Sequence, residues 1–219
     1  MGHLFQLIVF DLDGTLVDSR RDIADAANAL LVERGAAPLS EGTIGRMVGD
    51  GAAMLVARAL EAAGLPATAD ALPRFIELYE ERLLVHTRPY PEIPEVLAGL
   101  SARASLAVLT NKPIDATRRI LAGLDLARYF PDHRVIGGDG PFPRKPDPTS
   151  LRHLAEAAGV PLDDTVLVGD SIIDWRTARN AEAAVCLASY GFGFAAFPID
   201  QLRAGEWIVE SPGDLLATL

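Results

Sequence analysis

Leu7-Ile8-Val9-Phe10-Asp11-Leu12-Asp13-Gly14-Thr15-Leu16 is the stretch whose reading decides the fold of this chain. It opens as a short apolar run, the composition of a strand buried on both faces of a parallel sheet. It closes with two carboxylates one residue apart, then a glycine. Gly14 lets the backbone turn tightly as the chain leaves the sheet, so Asp11 and Asp13 can face one spot at the strand's carboxyl end. Open parallel sheets bind their ligands along that edge. Two carboxylates so close repel each other and need a cation, a shared proton or solvent. Taken alone, the stretch also fits an Asp-rich turn capping the next helix.

Working outward, the next section reads as helical. Ser19 is placed to cap a helix reaching about residue 34, with Ile23, Ala27, Leu30 and Leu31 on one face and Gly35 at its end. A loop with Pro38 leads to Gly45-Arg46-Met47-Val48-Gly49-Asp50-Gly51. Further helices are expected over 52–63 and 69–85, and no strand between 18 and 88. Pro89, Pro91 and Pro94 then mark a boundary. Beyond it, helices alternate with short apolar strands at 106–110, 134–136, 165–170 and 184–187, with an edge strand at 207–209. That alternation predicts a parallel sheet with crossover helices. The expected fold is α/β: a Rossmann-like core in two pieces, 1–17 and 90–219, with a helical domain, 18–89, inserted between them.

The totals narrow the function. The chain has 219 residues, 49% of them hydrophobic, enough for one large domain or a domain plus an insert. No apolar run reaches the length of a membrane span. The start, Met1-Gly2-His3-Leu4, lacks a basic segment followed by a long apolar one, so a cytoplasmic protein is expected. A formal charge of −10 argues against nucleic acid or an anionic membrane as partner. The single cysteine, Cys186, lies in an apolar run and reads as a small core residue. Monomer and homodimer are both compatible with this composition.

Each later strand also ends in polar groups. One ends at Thr110-Asn111, another at Gly169-Asp170, with Asp174 a helical turn beyond and Lys145 in the proline-framed loop Phe142–Pro148. In a parallel sheet these ends share one edge, so carboxylates, a hydroxyl and an ammonium converge there. Such oxygen ligands suit Mg²⁺, which is held by one or two carboxylates plus substrate phosphate and water. Asp174 alternatively reads as an ordinary first-turn helix acid, and Asn111 as a turn residue. The histidines show no ligand spacing, with His86 noted for its place at the end of the insert.

The succession Asp11-Leu12-Asp13-Gly14-Thr15, Thr110, Lys145 and Gly169-Asp170-Ser171-Ile172-Ile173-Asp174 resembles the haloacid dehalogenase superfamily. All four of its motifs occur in order, and the helical insert resembles its C1-type cap. The resemblance implies a nucleophile, Asp11, that forms an aspartyl phosphate, and an acid/base, Asp13. It implies that Thr110 and the backbone at Gly14 hold the phosphoryl oxygens, and that Lys145 neutralises charge. It implies Mg²⁺ on Asp11, Asp170 and the main-chain carbonyl of Asp13, with Asp174 completing the metal site.

Within the superfamily, an acid at Asp13 points to phosphate rather than halide chemistry. The insert has no lysine to form a Schiff base and no histidine but His86, which argues against the phosphonatase and sugar phosphomutase branches. The stretches Asp22–Asn28, Gly45–Gly51 and Thr110-Asn111-Lys112-Pro113 are similar to the bacterial phosphoglycolate phosphatase branch, which implies a small phosphorylated metabolite, 2-phosphoglycolate, as substrate. Another phosphatase or a phosphomutase of the same superfamily, acting on a sugar phosphate, pyrophosphate or a nucleotide, is the alternative. An anionic substrate asks for a cation in the cap, and Arg46 is the best placed by sequence, although it also reads as a solvated helix-end residue. The insert is expected to close over the sheet edge, hinged near residues 17–19 and 88–91.

Two rivals from other classes fit less well. A phospho-aspartate receiver is shorter and has no helical insert after its first strand. A serine esterase built on Ser171 needs a histidine base, usually downstream, and no histidine follows His153.

Overall fold

Residues 4–219 are described by a computed structural model; Met1, Gly2 and His3, on which the reading of the chain start rests, lie outside them. The first part of the chain forms β1 (Leu7–Phe10), β2 (Val17–Asp18), α1 (Arg20–Glu33), α2 (Glu41–Gly45), α3 (Ala52–Ala62), α4 (Ala71–Glu80) and β3 (Arg88–Pro89). There follow α5 (Ile93–Ser101), β4 (Ser105–Leu109), α6 (Ile114–Gly123), β5 (Val135–Ile136), α7 (Thr149–Ala158) and β6 (Thr165–Gly169). The chain ends with α8 (Ile172–Ala181), β7 (Ala184–Ala188), β8 (Trp207–Val209) and α9 (Leu215–Thr218).

Six strands make one sheet in the order β5-β4-β1-β6-β7-β8, every neighbour parallel. β1 is central, with Val9 opposite Ala107 of β4 on one side and Leu167 of β6 on the other. Its four residues are all buried because their side chains alternate between two apolar layers. Ile8 and Phe10 join Leu106, Val108, Val166 and Val168 beneath α5 and α6. Leu7 and Val9 join Leu109, Leu167, Val185 and Leu187 beneath α7 and α8. Burial on both faces is what the uninterrupted apolar run encodes. The chain builds outward from β1 through β4 to β5, then returns to β1's other side with β6, which places a topological switch point at β1.

α1–α4 form the helical insert, and their inner faces (Leu30, Leu31, Leu55, Leu60, Phe75, Leu78) belong to the same apolar layer as Ile8 and Phe10. α4 stops at Glu80, short of the expected 85, because the chain tightens into three-residue turns such as Val85 N–H to Arg82 C=O. α2 was not anticipated, nor were β2 and β3, which pair antiparallel as Val17↔Pro89 and Asp18↔Arg88. A two-residue ladder carries no periodicity to read from sequence. Ser19 sits at the N-cap of α1 but does not cap it; its hydroxyl donates to Asp13 instead, at 2.5 Å. Among the described residues no helix is long and apolar enough to cross a membrane.

Candidate active site

β1 lies between β4 and β6 in parallel register, so the residues leaving these strands emerge side by side: Asp11, Thr110 and Asp170. Lys145 reaches them from the loop before α7. Its Nζ stands 2.8 Å from Asp11 Oδ1 and 2.6 Å from Asp174 Oδ1. Asn111 fixes that loop from below, accepting from the Lys145 N–H at 2.9 Å and donating to the Lys145 C=O at 3.0 Å. The same amide donates to Gly49 C=O of the insert at 2.9 Å. The Asn111 side chain is therefore engaged with backbone, bracing Lys145 and joining insert to core.

Asp174 satisfies both of its sequence readings at once. As the third residue of α8 it forms a capping box with Ser171, accepting from the Ser171 N–H and hydroxyl at 3.1 and 2.6 Å. Its other oxygen takes Lys145. Ser171 thus orients Asp174. Asp170 is placed by glycines instead: a Cβ at Gly14, which has φ +89°, or at Gly191 would overlap its side chain. The Gly193 N–H donates to Asp170 Oδ2 at 2.7 Å. The Gly191-Phe192-Gly193 turn lies after β7, too far along the chain for the strand-end pattern to reveal.

Asp13 sits on the cavity side of the turn. Lys112 Nζ donates to both of its oxygens, at 2.9 and 3.1 Å, and to Tyr79 Oη of α4 at 2.6 Å. Neither Lys112 nor Tyr79 was among the sequence candidates. That this lysine and Lys145 are the only two in the chain was the available signal.

The electrostatics follow from burial. Desolvation pushes the Asp11 carboxyl up to about 6, against the attraction of Lys145 and with added repulsion from Asp174. Desolvation, then Asp174 and Asp11, hold the Asp170 carboxyl well above the usual range. For Lys145, burial favours the neutral form, but the facing Asp11 and Asp174 outweigh it and keep the ammonium charged. Asp13 does the same for Lys112. Two ammonium groups thus face the four carboxyl groups of Asp11, Asp13, Asp170 and Asp174, and ionising all four leaves a surplus of negative charge for a cation to balance. Asp11, Asp170 and Asp174 are all buried and each offers an oxygen within 4.8 Å of the others. This donor set and its surplus charge fit a hard divalent cation.

A second such group, Asp22, Asp25 and His86, lies at the base of the insert. Asp22 there is already engaged: it accepts from the His86 N–H and from the Thr87 N–H and hydroxyl at 2.7–3.0 Å.

Above the strand ends lies a cavity of about 260 Å³, floored by Asp11, Asp13 and Thr110 and roofed by Leu55, Phe75 and Ile76 of the insert. Arg46 does not line it. α2 turns Ile44 and Gly45 inward, which leaves Arg46 exposed at the helix end. Arg46, the expected cap cation, thus stands outside this cavity.

The sequence pattern of the haloacid dehalogenase-like hydrolase family matches residues 8–188. A phosphoglycolate phosphatase from Rhodospirillum rubrum is 41% identical, the match spanning 92% of this chain and 90% of that protein. One from Neisseria meningitidis is 36% identical over 98% of this chain and 93% of its own. A solved structure, titled as a predicted phosphoglycolate phosphatase from Haemophilus somnus, superposes with a TM-score of 0.88 at 32% identity, covering 97% of both chains. The motif order, the doubly wound sheet with its helical cap and these matches agree, and the chain belongs to the haloacid dehalogenase-like hydrolases.

Proposed function

We propose that this chain is a Mg²⁺-dependent phosphatase that hydrolyses 2-phosphoglycolate to glycolate and phosphate in the cytoplasm, as a monomer or homodimer. The observation that carries the chemistry is the buried Lys145 ammonium bridging Asp11 and Asp174 beneath the floor of a capped cavity. The substrate is suggested by the names of the Rhodospirillum and Neisseria relatives.

In this reading Asp11 attacks phosphorus, and the bond from phosphorus to the leaving oxygen breaks as the aspartyl phosphate forms. Asp13 gives its proton to the leaving oxygen. It then takes one from the water that cleaves the aspartyl phosphate, returning Asp11 and releasing phosphate. Lys145 counters charge on Asp11 and the transferring group, while the Thr110 hydroxyl and the backbone at Gly14 receive phosphoryl oxygens. Asp11, Asp170 and the main-chain carbonyl of Asp13 would hold Mg²⁺, with Asp174 behind them. When bound, the ion supplies positive charge beside the phosphoryl oxygens. Residues 18–89 act as the cap that excludes bulk water, hinged where β2 pairs with β3.

The test is phosphate release from 2-phosphoglycolate, pyrophosphate, glucose phosphates and a nucleotide, with and without Mg²⁺, using Asp11→Asn as the blank. Mg²⁺-dependent preference for 2-phosphoglycolate is the expected result. Preference for another ester would keep the core chemistry and overturn the substrate; silence on every ester would overturn both.

A further inference from the structure

Lys112 is the only cation among the described residues that line the cavity. Lys145 does not line it: its Nζ is buried beneath the floor between Asp11 and Asp174. The insert offers nothing in its place: residues 18–89 contain no lysine, and none of their arginines lines the cavity. The roof that faces Lys112 is apolar apart from Tyr79 and Glu80 of α4, and Glu80 carries the wrong charge for an anion. A ligand carrying a second negative charge beyond its phosphate therefore has one partner to find.

The position of Lys112 is also specific. Its Nζ contacts both oxygens of Asp13, the group that faces the leaving oxygen in the reading above. In an ester of a 2-hydroxy acid the carboxylate is one methylene from that oxygen, so a leaving oxygen seated on Asp13 brings the carboxylate toward Lys112. Tyr79 Oη accepts from the same ammonium at 2.6 Å, and the ammonium lies 4.5 Å from the Tyr79 ring centroid. Tyr79 belongs to α4 of the cap, so the ammonium is held from both sides of the cavity.

Resting on the proposed phosphatase reading, we infer that Lys112 determines specificity by binding the carboxylate of the leaving group, with Tyr79 as its positioning residue. The bidentate contact with Asp13 leaves room for this exchange: one N–H suffices to hold Asp13, and the other turns to the incoming carboxylate. Specificity for an anionic alcohol is then written in the core loop after β4, while the cap supplies apolar walls, the Tyr79 hydroxyl and the Glu80 carboxylate.

The experiment compares kcat/KM for 2-phosphoglycolate and for 2-hydroxyethyl phosphate, which has the same length with CH₂OH in place of the carboxylate. Wild type, Lys112→Met and Tyr79→Phe are assayed at saturating Mg²⁺. Wild type should prefer the carboxylate ester, and Lys112→Met should cut that preference by at least ~30-fold, the loss typical of removing one partner of a buried charge pair. Tyr79→Phe should cut it about threefold, through KM rather than kcat, as loss of one neutral hydrogen-bond partner does. If Lys112→Met slowed both esters equally, Lys112 would serve Asp13 alone and the inference would fall. A wild type that hydrolysed both esters equally well would also sink it, leaving the phosphatase reading intact. A wild type inactive on every phosphate ester would remove that reading and the inference together. Should Lys112→Met not fold, an unchanged preference in Tyr79→Phe overturns the positioning role and a reduced one supports it.

Discussion

Asp22 and Thr87, 65 positions apart, meet where the helical insert joins the core: the N–H and the hydroxyl of Thr87 both donate to one Asp22 oxygen, at 2.8 and 2.7 Å. The other oxygen accepts from the His86 N–H at 2.9 Å, and Asp22 is only 1% exposed. Asp22→Ala strands these buried donors. Since hydrogen bonds to a charged group are individually strong and unpaired buried donors costly, the loss should be about 3 kcal/mol. Urea unfolding checks it; a loss below ~1 kcal/mol would show that the junction is held by something else.

Asp11→Asn should reduce turnover by at least ~1,000-fold, because the amide cannot serve as nucleophile. The fold should survive. Burial makes the Asp11 charge unfavourable above about pH 6, so the metal-free variant at pH 7.5 should melt no lower than wild type. Phosphate release and thermal melts test the two halves separately.

The pH dependence of the metal-free protein follows from the same carboxyl. Folding raises its pKa from 3.8 to about 6, so the folded state binds the proton more tightly than the unfolded one. Stability is therefore lost as pH rises from about 4 through 6, on the order of 3 kcal/mol from this group. A divalent cation favours the ionised carboxylates and should restore it. The rise in Tm on adding Mg²⁺ should be larger at pH 7.5 than at pH 5; an equal rise at both would separate the ion from this cluster.

Gly191→Ala places a methyl group where the Asp170 side chain and the Gly14 carbonyl now lie. The carboxylate must move, and a displaced supporting contact at a metal site typically costs 10–100-fold in affinity, by order of magnitude. The half-saturating Mg²⁺ concentration for activity should rise by about that factor, while far-UV circular dichroism stays unchanged.

What could be read in the sequence was whatever depends on local pattern plus a parallel sheet. Asp11, Thr110 and Asp170 follow strands that the apolar runs mark, and parallel pairing does the rest. The partners of those groups were hidden because tertiary packing supplies them. Ser19 carried every mark of a helix cap, yet its hydroxyl serves Asp13. Lys112 meets Tyr79 only because α4 docks over the strand ends. The place of Arg46 outside the cavity was hidden for the complementary reason: its sequence distance from the core said nothing about which side of the five-residue α2 would be buried.

Val17 and Pro89 are ladder partners, so the chain departs from the core and comes back to it at a single point. This makes the intervening segment a cassette. A foreign segment spliced between the two sites meets ends already side by side, on a two-stranded ladder separate from the six-stranded sheet. Such exchanges would let the walls around the substrate diverge while the strand ends that carry the chemistry stay fixed.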